Sequence, residues 1–113
     1  MDKELFEKYY RVILAKAAAK RREKEKEYFS EQDVLLSLRN LARFRNKETP
    51  QMIMDLVSKP IMSLSDMINA EFGGQTTTKI SEEQLPIELW EEKFVDTFNY
   101  LFKLYACIRE EKF

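Results

Sequence analysis

Apolar residues recur along most of this chain at spacings of three and four, the period of a helix with one buried face. Between Lys3 and Tyr28 the apolar positions are Leu5, Phe6, Tyr9, Val12, Ile13 and Ala17, and no Gly or Pro interrupts the run. From Ala17 to Glu27 the residues favour helix but are nearly all polar. The pattern therefore predicts a long charged helix whose second half projects or lies over a partner. Ser30 followed by Asp33 reads as a capping box with Asp in place of the usual Glu or Gln, opening a second helix that runs to about Arg45. Val34, Leu35, Leu38, Leu41, Ala42 and Phe44 of that helix are mostly inward. Thr49 as N-cap and Pro50 in the first turn start a third helix, with Met52, Ile53, Leu56, Val57, Leu64, Met67 and Ile68 on one broad face. Pro60 lies within it and predicts a kink, because it lacks a backbone donor. Gly73 and Gly74 end the element, and 73–86 is a polar loop. A fourth helix begins near Pro86, with Leu89, Phe94, Val95, Phe98, Leu101, Phe102, Tyr105 and Ile108 over about half its circumference. The prediction is an all-α bundle of about four helices, a single domain over 1–113 with a basic N-terminal helix (1–28) and a core bundle (29–113).

Composition narrows the chemistry. The 113 residues include no His, which removes the commonest general base and metal ligand, and with it Ser–His or Cys–His nucleophilic catalysis. The single Cys, Cys107, excludes an intramolecular disulfide and a Cys-based zinc site. The charged start, Met1-Asp2-Lys3-Glu4, lacks a signal-peptide apolar core, and no stretch is apolar enough to span a membrane, so a cytoplasmic location is expected. Net charge is −1 but polarised: residues 1–50 hold 13 Lys/Arg against 9 Asp/Glu, and residues 51–113 hold 6 against 11. Complementary halves suit packing against the chain itself or a second copy. The overall balance does not suit general nucleic-acid binding. Small bundles with surplus apolar surface commonly assemble symmetrically, so a homo-oligomer is expected.

Three clusters could carry chemistry. On the fourth helix, Glu92, Asp96, Asn99 and Lys103 fall within a sector of about 60° and could hold a cation or read a ribose and base, or simply face water. Lys59, beside Pro60, could hold a phosphate as a compact cation, or pair with Asp55 one turn away. The run from Lys16 to Lys26, interleaved with Glu23 and Glu25, could form an anion-binding lip or a solvated face held by i,i+4 pairs. Tyr28 beside it could offer a platform for a base, or pack at a helix corner. Phosphate-binding P-loop, Rossmann and nucleophile-elbow patterns are missing from the sequence.

Taken in order, Tyr28, Asp33-Val-Leu-Leu-Ser-Leu-Arg-Asn-Leu-Ala, Thr49-Pro50, Lys59-Pro-Ile-Met-Ser-Leu-Ser-Asp-Met and Trp90-Glu-Glu-Lys-Phe-Val-Asp-Thr-Phe-Asn-Tyr-Leu resemble a group of small bacteriophage proteins. These are related to the nucleotide-modification-associated and MazG-like all-α nucleotide pyrophosphohydrolases. The resemblance spans about residues 28–110 and is most specific from Glu92 to Leu101. It implies an oligomeric helical bundle that binds nucleotide phosphates between helices. Catalytic members of the wider group hold Mg²⁺ with two acidic pairs. Glu92 and Asp96 could stand for one pair, whereas the Ser58–Ser63 stretch of the third helix offers Lys59 and no Glu.

The leading expectation is a phage-type nucleotide-binding protein, acting in the cytoplasm of an infected bacterial cell and holding its ligand without turnover. It needs no cofactor, and one use would be to sequester a host antiviral nucleotide signal. The candidate ligand contacts are Lys59, Glu92, Asp96, Asn99, Tyr100, Tyr28, Asp33 and Lys26. Two alternatives stay open: a Mg²⁺-dependent nucleotide pyrophosphatase with a reduced site built on Glu92 and Asp96, and a small phage inhibitor that docks on a host protein.

Overall fold

A computed structural model describes residues 1–28, 33–73 and 84–113, with only the backbone of Tyr28. It contains four helices, α1 (Lys3–Tyr28), α2 (Leu36–Phe44), α3 (Thr49–Phe72) and α4 (Ile87–Lys112), and no strand among the described residues. The all-α bundle expected from periodicity is therefore present, and no helix is long and apolar enough to cross a membrane among these residues.

Helix α4 is the hub. It packs most extensively on α3 and also on α1, while α2 rests on α3. Leu35, Ile53, Val57 and Cys107 form the buried centre, with Leu38, Tyr100 and Leu104 packed around it. On α3 the buried positions Thr49, Met52, Ile53, Val57, Pro60 and Met67 keep the three-and-four spacing that places them on one face. Pro60 belongs to that face, and the helix runs unbroken through it. Lacking an N–H, Pro60 cannot bond the Leu56 carbonyl one turn back.

The helix ends follow local chemistry. Gly73 closes α3 in the left-handed region (φ 77°) and donates its N–H to the Asn69 carbonyl, a conformation that a residue without Cβ adopts freely. At the start of α3 the N-cap is Glu48, not Thr49: the Gln51 side chain accepts the Glu48 N–H at 3.1 Å, and Thr49 is already helical and buried. Helix α2 starts at Leu36, later than the capping box predicted; Ser30 lies outside the described residues. Asp33 instead anchors a turn, accepting the Leu35 N–H on Oδ1 at 2.9 Å and Arg39 Nε on Oδ2 at 2.9 Å. A short Asp side chain competes well for nearby backbone donors, which favours a turn over an earlier helix start. Arg39 also reaches Glu110 and Glu111, tying α2 to the end of α4.

The long charged helix expected at the N-terminus is present as α1. Of the two alternatives for its second half the structure shows the packed one, while the more apolar first half overhangs. Its polar second half lies on α4: Ala17 is buried, Lys16 Nζ meets Glu91 Oε2 at 2.6 Å, and Lys20 Nζ meets Asp96 Oδ1 at 2.6 Å. These pairs run in the same direction along both helices, so the two are parallel. Every residue from Met1 to Val12 is exposed, Phe6, Tyr9 and Tyr10 by more than half. Ala17 decides the outcome, because its small side chain lets α4 approach the α1 backbone more closely than Phe6 or Tyr9 would. With one end overhanging, the radius of gyration is 16.9 Å, against about 13 Å for a compact chain of this length.

Candidate functional site

A cleft of 320 Å³ is lined by α1 and α4 together with residues of α2 and α3. Its floor is apolar, made by Val34, Leu38, Leu41 and Leu56, and its walls are charged. Helix α1 contributes Lys20, Arg21, Lys24 and Glu25; α4 contributes Asp96, Asn99, Tyr100 and Lys103. The spacing of both sets is helical, so each forms one wall.

Two bonds hold the walls in register. Lys20 pairs with Asp96, and Asn99 Nδ2 donates to the Ala17 carbonyl at 3.1 Å. The second contact needs the alanine run, since a longer side chain at that point of α1 would hold the amide away. Arg21 is matched along its own helix by Glu25. Four cations thus face two carboxylates, and both carboxylates are engaged by Lys20 and Arg21.

The remaining cations, Lys24 and Lys103, form no salt bridge among the described residues. Lys103 Nζ lies 5.4 Å from the centre of the Tyr100 ring. Burial lowers the Lys103 pKa, the positive charge of Lys24 lowers it further, and Glu25 partly offsets both. Burial raises the Tyr100 pKa, with Asp96 adding to the effect and Lys20 opposing it, so the phenol keeps its proton at neutral pH. The cleft therefore presents two under-compensated ammonium groups, a phenol donor and an amide above an apolar floor. A positively charged wall over such a floor suits a ligand with anionic and flat apolar parts.

The structure gathers only some of the sequence candidates. Asp96, Asn99 and Tyr100 line the cleft together. Glu92 shares their helix face but is exposed and lies outside it. Lys59 is also exposed and outside it, and its expected partner Asp55 pairs with Lys47 instead. Asp33 is committed to Arg39 and Leu35, away from the cleft. Lys26 is exposed and does not line it, and the Tyr28 side chain lies outside the described residues, as does most of the 73–86 loop. The sequence placed Lys103 on the α4 stripe and Lys24 in the basic run of α1, but not the two of them together in one cleft. The available signals were the i,i+4 pairs Lys20/Lys24 and Asn99/Lys103, with Ala17 to Ala19 marking where the helices approach.

A divalent cation finds little here. Among the described residues no three acidic or Cys side chains converge, and Asp96 is occupied by Lys20. A Mg²⁺ site on Glu92 and Asp96 would have to displace that lysine and recruit a carboxylate outside the cleft. No family model matches the chain, and no curated protein or solved structure matches it either.

Proposed function

We propose that this chain is a nucleotide-binding protein that holds its ligand without turnover, with phosphate on Lys24 and Lys103 and the base over the apolar floor beside Tyr100. The observation that carries this reading is the convergence, in one cleft, of two lysines that form no salt bridge among the described residues. A nucleotide phosphate supplies the missing negative charge, and the partial burial of Lys103 strengthens its attraction relative to open water, while Lys24 is exposed. Asn99 and Tyr100 bring an amide and a phenol proton to the polar edges of a base or sugar. The engagement of Asp96 by Lys20 favours retention of the ligand over metal-assisted cleavage.

The resemblance to small bacteriophage proteins of the nucleotide-modification-associated and MazG-like group supports the same class of ligand. In that setting the protein acts as a homo-oligomer in the cytoplasm of an infected bacterial cell, where sequestering a host antiviral nucleotide signal is its use. The test is a thermal-shift panel of nucleoside triphosphates, cyclic oligonucleotides and ADP-ribose derivatives, with and without Mg²⁺, followed by chromatography of each ligand. A Mg²⁺-independent rise in Tm with ligand recovered intact is expected. Cleavage products that appear only with Mg²⁺ would replace this reading with the pyrophosphatase.

A further inference from the structure

Helix α4 carries a second feature that the cleft does not use. Phe94, Phe98, Leu101, Tyr105 and Ile108 follow one another at intervals of four, three, four and three residues, and each is 39–60% exposed. That alternation is a heptad seam, the pattern that keeps one stripe of a helix facing another helix. Phe102 flanks the seam, also exposed. At its N-terminal end it runs into an apolar groove where Phe72 meets Trp90 edge to face, with ring centres 6.4 Å apart.

The accessible surface of the chain is 9029 Å², whereas a compact monomer of this mass exposes about 6,500 Å². A standard protein interface removes about 800 Å² from each partner, roughly a third of that excess. Charge supplies the orientation. Glu88 follows Ile87, which lies one heptad before Phe94 and is exposed, and Arg109 follows Ile108; the two charges are three heptads apart, and neither forms an ion pair within the chain among the described residues. In an antiparallel pair that heptad position faces itself across the seam, so Glu88 of one copy meets Arg109 of the other at both ends. A parallel pair would leave the two at opposite ends.

We infer that the exposed seam of α4 is the contact between two copies of this chain, paired antiparallel about a two-fold axis between Phe98 and Leu101. This specifies the assembly part of the functional reading and stands without the nucleotide part, because its test reads mass and not ligand. Light scattering on a size-exclusion column should give twice the 13.5 kDa chain mass for the wild type. Leu101→Glu should shift the peak to the single-chain mass while circular dichroism keeps its helix signal. Should Leu101→Glu not fold, Leu101→Cys keeps the seam apolar, and a short bismaleimide should then join two copies. The wild type, whose only Cys is buried, and Arg43→Cys on α2 should not cross-link. Glu88→Arg should weaken the dimer severalfold, and Glu88→Arg with Arg109→Glu should restore it. A wild-type chain that stays at 13.5 kDa at 100 µM would overturn the inference and leave the seam to a different protein. A dimer indifferent to Leu101→Glu, or a Leu101→Cys chain that does not cross-link, would overturn the choice of face. Failure of the charge swap to restore would overturn the antiparallel alignment.

Discussion

The ammonium group of Lys103 sits 5.4 Å from the centre of the Tyr100 ring, one helical turn away, and both line the cleft between α1 and α4. The ring face offers the cation some attraction but no charge, so the lysine stays under-compensated. Replacing it with Met keeps the stem and removes the charge. Lys103→Met should therefore leave the free protein as stable or raise its Tm, while weakening nucleotide binding by about 10- to 100-fold, the loss expected for one charge-assisted hydrogen bond. Thermal denaturation with and without nucleotide separates the two effects.

Lys103 also sets a pH dependence. Its folded pKa is lowered below 10.5, so between that lowered value and 10.5 the unfolded chain binds more protons than the folded one. The contribution of this group to stability therefore rises with pH through that window, and the penalty for its charge is fully present below it. Nucleotide affinity should move oppositely, falling as Lys103 loses its proton at a pH where an ordinary lysine is still charged. Calorimetric titration from pH 7 to 10, with Lys103→Met as the flat reference, reads the difference.

Asp96 separates the binding and metal readings. Asp96→Asn removes a carboxylate from the cleft and releases Lys20, so it should tighten binding of a nucleotide phosphate by severalfold. Its ion pair is partly exposed, and breaking it should cost the fold only about 1 kcal/mol or less. If Asp96 instead held Mg²⁺ for cleavage, the same change would abolish activity.

The α1–α4 contact depends on small residues. Ala17 is 1% exposed and its carbonyl accepts the Asn99 amide. Ala17→Leu should overpack this contact, costing about 1–3 kcal/mol, and should open the cleft so that binding is lost with it. Urea denaturation and the nucleotide-induced Tm shift test the two consequences.

The hydrophobic centre gives the stability contrast. Ile53 is fully buried, and Ile53→Ala should cost about 2–5 kcal/mol, lowering Tm by about 10 °C or more. Phe44, on α2, is 87% exposed, and Phe44→Ala should change the stability of the isolated chain by no more than about 0.5 kcal/mol.

The four helices were legible because Pro50, Pro86 and Gly73 punctuate long runs of helical period. The face each helix buries was less so. Half of the α4 circumference is apolar, but periodicity does not say which neighbour covers which part: Val95 and Cys107 are buried, while Phe94, Phe98 and Leu101 are not. The same holds for α1, where Phe6 and Tyr9 outrank Ala17 in hydrophobicity yet stay exposed, because small size governed the contact. Within the cleft, Asp96, Asn99 and Lys103 could be read from one helix stripe, and Lys24 belonged to the basic run of α1. The juxtaposition of Lys24 and Lys103 could not be read, since it is a matter of how two helices sit side by side. Lys59 lies outside this cleft, because proximity to Pro60 marks a position on a helix and not a cleft.

The most direct test of the central claim is the nucleotide panel run in parallel on wild type, Lys24→Met/Lys103→Met and Lys59→Met. At about 100 times its dissociation constant, a ligand stabilises the fold by about 2.7 kcal/mol, a shift of several degrees in a domain of this size. The nucleotide that raises the wild-type Tm should do the same for Lys59→Met and fail for Lys24→Met/Lys103→Met, whose unliganded Tm is no lower than wild type. A nucleotide shift that survives loss of Lys24 and Lys103, or a wild type that responds to nothing in the panel, would contradict it.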